Sequence, residues 1–340
     1  MKKKLPIEHP PITNIPLMAD MFSILWPHKE KVLPWLCDHF MQLTFDNKDG
    51  ADVWNALYYD GRGANKIFSN YYCPFFKSVI ITREVIDPFF NNFTDFIEEQ
   101  INKGYYFHIR LNQLHLSCSE HYKTKSGTIH TFIYGYDRDK DEILISGFFD
   151  RDFYNGEKYV RKIVRYDEIN KSYCMDLEKY PKANEYRMFK YCDYNYEFNF
   201  DLLKTSISDY LNCKDSFLKY KHAYDYRGKE IYFGLDFYDM LIEKFSHISH
   251  REFHTLYDHK VAMLIRLNYL NDYELISRKK YDSINTRCNL MLEKSLKLKN
   301  TVLEHEKRKD HNTMDSIIEQ CFSLKQLDKE VTTDLYESLM

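Results

Sequence analysis

The stretch SGTIHTFIYGYDRDKDEILISGFFD, residues 126–150, decides the fold of the first half of this chain. It contains two apolar, β-prone runs, HTFIYGYD and EILISGFF, joined at the polar turn DRDKD, and this pattern predicts a β-hairpin. Three of the ten glycines of the chain lie here, and His130 begins the first run. A histidine that opens a strand projects its imidazole at the end of a sheet, and Gly135 allows a backbone or a substrate to approach closely. The hairpin predicts a functional His130 at the mouth of a cleft; the alternative is a packed or capping histidine.

The length and composition suit a globular protein of two domains. The chain has 340 residues, more than one compact domain usually contains, and an apolar fraction of 44% is enough for a core. Aromatic residues make up 16%, which favours a cleft or interface lined by tyrosines, although nucleotide bias in the source genome would give the same excess.

The charge pattern excludes several classes of partner. The formal net charge is -3 and no long basic block is present, so nucleic acid is not expected as a partner. The basic start is interrupted by Glu8, His9 and prolines, so no signal peptide is expected, and no apolar window approaches a membrane span. The eight cysteines lack paired spacing and are expected to be reduced thiols. These features predict a cytoplasmic protein that binds no membrane.

The order of predicted elements indicates an α+β protein. Residues 28–45 have helical apolar spacing, residues 105–112 form a strand, and the hairpin follows. From about residue 198 the pattern becomes helical to the end of the chain. We therefore expect an α+β domain over residues 1–196, with an antiparallel sheet packed on early helices, and an all-helical domain over residues 197–340.

The hairpin also supports a resemblance to a known family. HTFIYGYD followed by a polar turn and a second strand resembles the histidine hairpin of papain-like cysteine peptidases of the bacteriocin-processing kind, and more closely that of relatives of butirosin biosynthesis protein H. The helical segment REFHTLYDHKVAMLIRLNYL resembles the C-terminal part of papain-like accessory proteins encoded beside nonribosomal peptide synthetases. These matches cover about a fifth of the chain. The resemblance implies a papain-like first domain that acts on an acyl group held by a carrier protein.

Papain-like acyl transfer uses a cysteine at a helix N-terminus, a histidine on a later strand and an acid or amide that orients it. His130 matches the histidine. The first helix, LMADMFSIL, offers Asp20 and Ser23 in place of the cysteine, so the candidate nucleophiles are Cys37 and Ser23. Gly147 occupies the place expected for the acid, and Asp150 follows three residues later. The remaining candidate is Gln42, as an oxyanion donor that follows Cys37 instead of preceding it.

Metal and cofactor sites are not expected. His115, Cys118 and His121 recur at intervals of three, and a second group combines His247, His250 and His254, but neither has the spacing of a structural zinc site or a zinc protease. The chain has no GxxxxGK[ST] loop and no GxGxxG after a strand, so no nucleotide or dinucleotide cofactor is predicted.

Two functions follow from the resemblance. The first is acyl transfer or amide-bond processing on a carrier-tethered acyl or peptidyl thioester in natural-product biosynthesis, with His130 as general base. The second is a catalytically silent papain-like scaffold that binds a peptidyl chain or a carrier domain. Base catalysis without a covalent enzyme intermediate would reconcile them. The oligomeric state stays open, with a homodimer as one alternative.

Overall fold

A computed structural model describes residues 1–48, 52–58, 73–152, 156–215, 230–245, 249–308 and 311–340. Its contacts divide the chain into two compact units, one of Met1–Lys29 with Asn70–Tyr194 and one of Glu30–Ser69 with Asn195–Met340. The class is α+β, as predicted: an antiparallel sheet dominates the first unit and long helices dominate the second. The expected boundary near residue 196 has a counterpart at Tyr194, while residues 30–69 group with the later part of the chain.

The first unit is built on one antiparallel sheet. In the described residues it has seven strands in the order β4-β9-β5-β6-β7-β8, with β1 paired to β6. The strands are β1 (Lys2–Lys4), β4 (Phe76–Thr82), β5 (Tyr105–Asn112), β6 (Thr128–Asp137), β7 (Glu142–Asp152), β8 (Gly156–Arg165) and β9 (Glu185–Tyr191). The hairpin predicted from residues 126–150 is the pair β6 and β7, with Asp137 opposite Glu142 at the turn.

The glycines of the hairpin allow backbones to come close. A Cβ added at Gly135 would lie 2.8 Å from the carbonyl oxygen of Lys3, because β1 pairs with β6 at this point. A Cβ at Gly147 would lie 2.9 Å from the carbonyl oxygen of His130. Gly135 therefore admits a neighbouring strand, one of the two roles that the sequence left open for it.

Helices cover the two faces of this sheet. The helices of the first unit are α1 (Pro16–Leu25), α3 (Arg83–Ile86), α4 (Phe93–Asn102) and α5 (Tyr166–Tyr173). Phe93 and Phe96 of α4 make edge contacts with the ring of Phe107 on one face of β5. Asp20 and Ser23 of α1 reach side chains of the strands on the other face. Every residue of α1 after its first proline is buried, so this helix closes the face on which it lies.

The second unit combines a small sheet with the long helices. The described strands form the order β10-β2-β3, with β2 (Gln42–Lys48), β3 (Asp52–Tyr58) and β10 (Glu230–Phe233). The described helices are α2 (Lys29–His39), α6 (Phe200–Leu211), α7 (Asp236–Glu243), α8 (His250–Asp272), α9 (Arg278–Arg308) and α10 (His311–Ser338). The predicted helices after residue 198 are confirmed. This unit is not all-helical, because it contains the three strands.

The helix predicted over residues 28–45 ends early, at His39, and Leu43 lies in β2. Tertiary partners explain the difference. Arg266 donates to the carbonyl oxygen of Phe40 at 2.5 Å. Nε2 of His259 donates to the carbonyl oxygen of Met41 at 2.7 Å. Since these partners satisfy the carbonyls at the helix end, the chain leaves the helix and pairs as a strand.

A buried polar cluster ties α6, α7, α8 and α10 together. The Nζ atom of Lys260 donates to Asp328 Oδ2 at 2.5 Å and to Tyr210 Oη at 3.3 Å, and it lies 2.9 Å from Nδ1 of His259. The hydroxyl of Tyr238 donates to the same Asp328 oxygen at 2.9 Å. Lys260 and Asp328 are both 0% exposed, so each charge depends on the other for compensation.

This cluster makes stability dependent on pH through His259. Burial, and then the positive charge of Lys260, lower the pKa of His259 well below its ordinary value. In the unfolded chain a histidine titrates near 6.5, so acidification protonates the unfolded state while the folded state stays neutral. The contribution is fully present above that pH and is lost as the pH falls.

Between pH 7.5 and 5.5 we expect this group alone to lower the free energy of unfolding by about 1 kcal/mol. Urea denaturation followed by circular dichroism at constant ionic strength measures it. Over the same pH interval, the free energy of unfolding of the His259→Asn variant should fall less than that of the unaltered protein, and the difference should equal this contribution. An equal slope in both proteins would contradict a neutral His259.

No helix in the described part of the chain is long and apolar enough to cross a lipid bilayer.

Candidate functional site

Strand register brings four basic side chains to one face of the sheet in the first unit. Arg110 of β5 lies opposite His130 of β6, and His108 of β5 lies opposite Arg187 of β9. Residues two apart on a strand share a face, and directly opposite residues share it as well. His108, Arg110, His130 and Arg187 therefore form one basic group across three neighbouring strands.

Helix α1 places a buried carboxylate beside this group. Asp20 is 2% exposed, and its Oδ2 atom lies 2.5 Å from Nδ1 of His108. Its other oxygen accepts a hydrogen bond from the hydroxyl of Tyr159 on β8 at 2.8 Å. The Tyr159 hydroxyl also lies 2.9 Å from Ser146 Oγ and accepts from Ser23 Oγ at 3.1 Å. Asp20 is thus held from both sides by side chains of the sheet.

The hydrogen bonds continue from His108 to the edge of the group. Nε2 of His108 lies 3.2 Å from Nδ1 of His130, and Nε of Arg110 donates to Nε2 of His130 at 3.2 Å. Arg110 also donates through Nη1 to the carbonyl oxygen of Lys182 at 2.8 Å. Arg110, His130, His108 and Asp20 form a continuous chain, which we call the histidine relay. The ring of His130 is half-buried, whereas that of His108 is buried.

The position of every proton in the relay follows from Arg110. A guanidinium only donates, so Nε2 of His130 must accept, and the neutral ring then carries its proton on Nδ1. That proton is donated to Nε2 of His108, which places the proton of His108 on Nδ1, where it is donated to Asp20. A charged His130 would have no lone pair for Arg110. The relay therefore holds two neutral histidines in a fixed tautomer against a carboxylate.

The electrostatics agree with this assignment. Burial, and then the charges of Arg187 and Arg110, lower the pKa of His108 to about 3, so the ring stays neutral. Burial raises the pKa of Asp20, and the hydrogen bond from Tyr159 opposes that rise. A carboxylate with a raised pKa is a good final acceptor for a proton. The relay can therefore take a proton at His130 and pass positive charge toward Asp20.

The predicted site residues do not all meet in this unit. Ser23 is fully buried, and its hydroxyl donates to the carbonyl oxygen of Ala19 at 2.8 Å and to Tyr159. Cys37 and Gln42 belong to the second unit. Burial raises the pKa of the Cys37 thiol, and Gln42 donates to the carbonyl oxygen of Lys214 at 3.1 Å. Asp150 lies in β7 opposite Lys158, and its side chain falls outside the described residues.

Sequence reasoning identified His130 but missed its partners His108 and Arg110, and it missed Tyr159, which donates to Asp20. Asp20 was noticed only as a residue in the place of the expected cysteine. One signal was available: the strand YYFHIRLN has two basic residues at alternate positions, His108 and Arg110. Two basic side chains on one face of a buried strand need polar partners, and α1 supplies one of them in Asp20.

The histidine groups considered for metal binding have other partners. His121 pairs with Glu120 at 3.2 Å and His250 with Glu306 at 2.8 Å. His247 lies outside the described residues. Within the ranges that the structure describes, no group of three or more His, Cys, Asp or Glu side chains could hold a metal ion.

No protein-family model matches this chain, and no curated protein is significantly similar to it.

Proposed function

We propose that this protein transfers an acyl group from a thioester to water or an amine by general-base catalysis, with His130 as the base and no covalent enzyme intermediate. The observation that carries the proposal is the histidine relay, which orients His130 and leads from it to a buried carboxylate. The substrate class, a carrier-tethered acyl or peptidyl thioester of natural-product biosynthesis, comes from the sequence resemblance.

In this mechanism the acceptor attacks the thioester carbonyl while His130 takes its proton at Nε2. The new C–N or C–O bond forms, the C–S bond breaks, and the proton is returned to the leaving thiolate. His108 and Asp20 act through His130: they keep its tautomer and stabilise the charge that it acquires, as the acid does in a catalytic triad.

The proposal omits a covalent nucleophile because of where the candidates lie. Ser23 is 0% exposed and donates its hydroxyl proton to other groups. The thiol of Cys37 is 0% exposed, and burial raises its pKa, which opposes the thiolate that nucleophilic attack requires. A carrier thioester is already activated, so an oriented base is sufficient chemistry for its aminolysis or hydrolysis.

The fold supports a papain-like assignment of the first unit as part of the same proposal. Helix α1 covers one face of an antiparallel sheet and contains Asp20 within the segment LMADMFSIL, where the resemblance places the cysteine. All eight cysteines lie in the described residues and none forms a disulfide, which suits the reducing cytoplasm as the location.

The test uses an acyl N-acetylcysteamine thioester with an amine acceptor and the full chain. We expect release of thiol, formation of amide or acid, and no mass increase of the intact protein. His130→Ala should lower the rate by about 10²–10⁴-fold. His121→Ala is the matched control, because that half-exposed histidine lies in the same unit outside the relay. A stable adduct on a cysteine or serine would refute the direct mechanism.

A second candidate is the papain-like scaffold that binds a peptidyl chain or carrier domain without turnover. One observation favours it: Arg110 occupies Nε2 of His130, the nitrogen that a base must use. In the same experiment, saturable binding of the thioester without product formation, whichever acceptor is supplied, would support the scaffold function.

A further inference from the structure

Arg110 is a half-buried arginine whose hydrogen-bond acceptors, among the described residues, carry no charge. Its guanidinium donates to a ring nitrogen of His130 and to the carbonyl oxygen of Lys182, both uncharged. Among the described residues, no carboxylate forms an ion pair with its guanidinium, although the negative charge of Glu185 acts on it from beyond ion-pair distance and raises its pKa. Burial lowers the pKa of Arg110, which means that its charge is held at a cost. An anionic oxygen group would relieve that cost.

The contact between Arg110 and His130 is a single hydrogen bond without charge compensation. It is an N–H···N bond of 3.2 Å, at the long end of the usual range, and its acceptor is the nitrogen of a neutral ring. A carboxylate or phosphate can accept two parallel N–H bonds from a guanidinium and gains the charge attraction as well. When such an anionic group binds nearby, the guanidinium of Arg110 should therefore leave Nε2 of His130 and donate to the anion.

We propose that Arg110 is the docking point for an anionic oxygen group of the substrate, and that docking draws the guanidinium away and exposes Nε2 of His130. Arg110 covers Nε2 of the base in this structure, and the anionic group of the substrate uncovers it. The inference rests on the proposed function only in assigning the anion to the substrate. The carboxylate of an acyl or amino-acid group and the phosphate of a carrier arm share this chemistry, and the experiment separates them.

The experiment follows the ring nitrogens of His130 by NMR in the full chain labelled with ¹⁵N-histidine. The signals of His130 are those that disappear in His130→Gln. Sodium acetate and inorganic phosphate are titrated at constant ionic strength, with acetamide as the neutral counterpart of acetate. We expect the Nε2 signal to move saturably with one of the anions and to stay unchanged with acetamide. The anion with the higher affinity identifies the group.

Two variants locate the response. Arg110→Met should abolish it, whereas Arg161→Met should retain it, because Arg161 is a cation of the same unit that donates to the carbonyl oxygen of Ile7. Absence of a saturable response to either anion, or an unchanged response in Arg110→Met, overturns the proposal. The comparison of acetate with acetamide in the unaltered protein decides the matter even if a variant does not fold. This readout needs no turnover, so it stays separate from the test of acyl transfer.

Discussion

Replacing Asp20 with Asn is expected to lower kcat for thioester turnover by about 10²–10⁴-fold, with little change in KM. Asn is isosteric with Asp, but it offers one acceptor oxygen where the carboxylate accepts from both Tyr159 and His108. If its amide group turns to His108, the protons of both rings move to the opposite nitrogens. Nε2 of His130 then carries a proton and meets the donor of Arg110.

Because Asp20 acts through two rings, the test includes a signal that a purely structural role would not move. The ¹⁵N shifts of His108 and His130 should show altered tautomers in Asp20→Asn, together with the fall in kcat. Asp95→Asn is the matched control: Asp95 is an exposed carboxylate of the same unit that pairs with Arg138 at 3.1 Å. Unchanged tautomers in Asp20→Asn with full activity would show that the relay does not orient the base.

The second large effect concerns stability. Asp328→Ala is expected to lower the free energy of unfolding of the second unit by about 3–5 kcal/mol. The substitution removes the carboxylate that accepts from Lys260, Tyr210 and Tyr238, and it leaves a lysine that is 0% exposed without a counter-charge. Urea denaturation followed by the helical circular dichroism signal measures the loss.

Two comparisons test the cause of that loss. Asp239→Ala breaks another Lys–Asp pair of this unit, with Lys325 at 2.7 Å, but both side chains are partly exposed, so the expected cost is about 0–1 kcal/mol. Adding Lys260→Met to Asp328→Ala should recover stability, because it removes the unpaired buried charge. If the double variant is no more stable than Asp328→Ala, the buried charge is not the cause.

Local patterns predicted most of the secondary structure. The hairpin of β6 and β7, the strand β5 and the helices after residue 198 each follow from spacing within a few residues. The helix over residues 28–45 was predicted too long, because its end is set by Arg266 and His259, side chains more than two hundred positions away. The strand β10 was missed for a related reason, because it pairs with β2, which lies far earlier in the chain.

The sequence by itself determined the class of fold and the hairpin, because alternation and turn residues act over short distances. It placed His130 at the start of the first hairpin strand, whereas β6 begins two residues earlier, at Thr128. Only the tertiary structure decided the partners of that histidine. His108 comes from a strand twenty-two positions earlier and Asp20 from a helix eighty-eight positions before His108. Such contacts depend on strand register and on which helix covers which face, and these are set by packing over the whole unit.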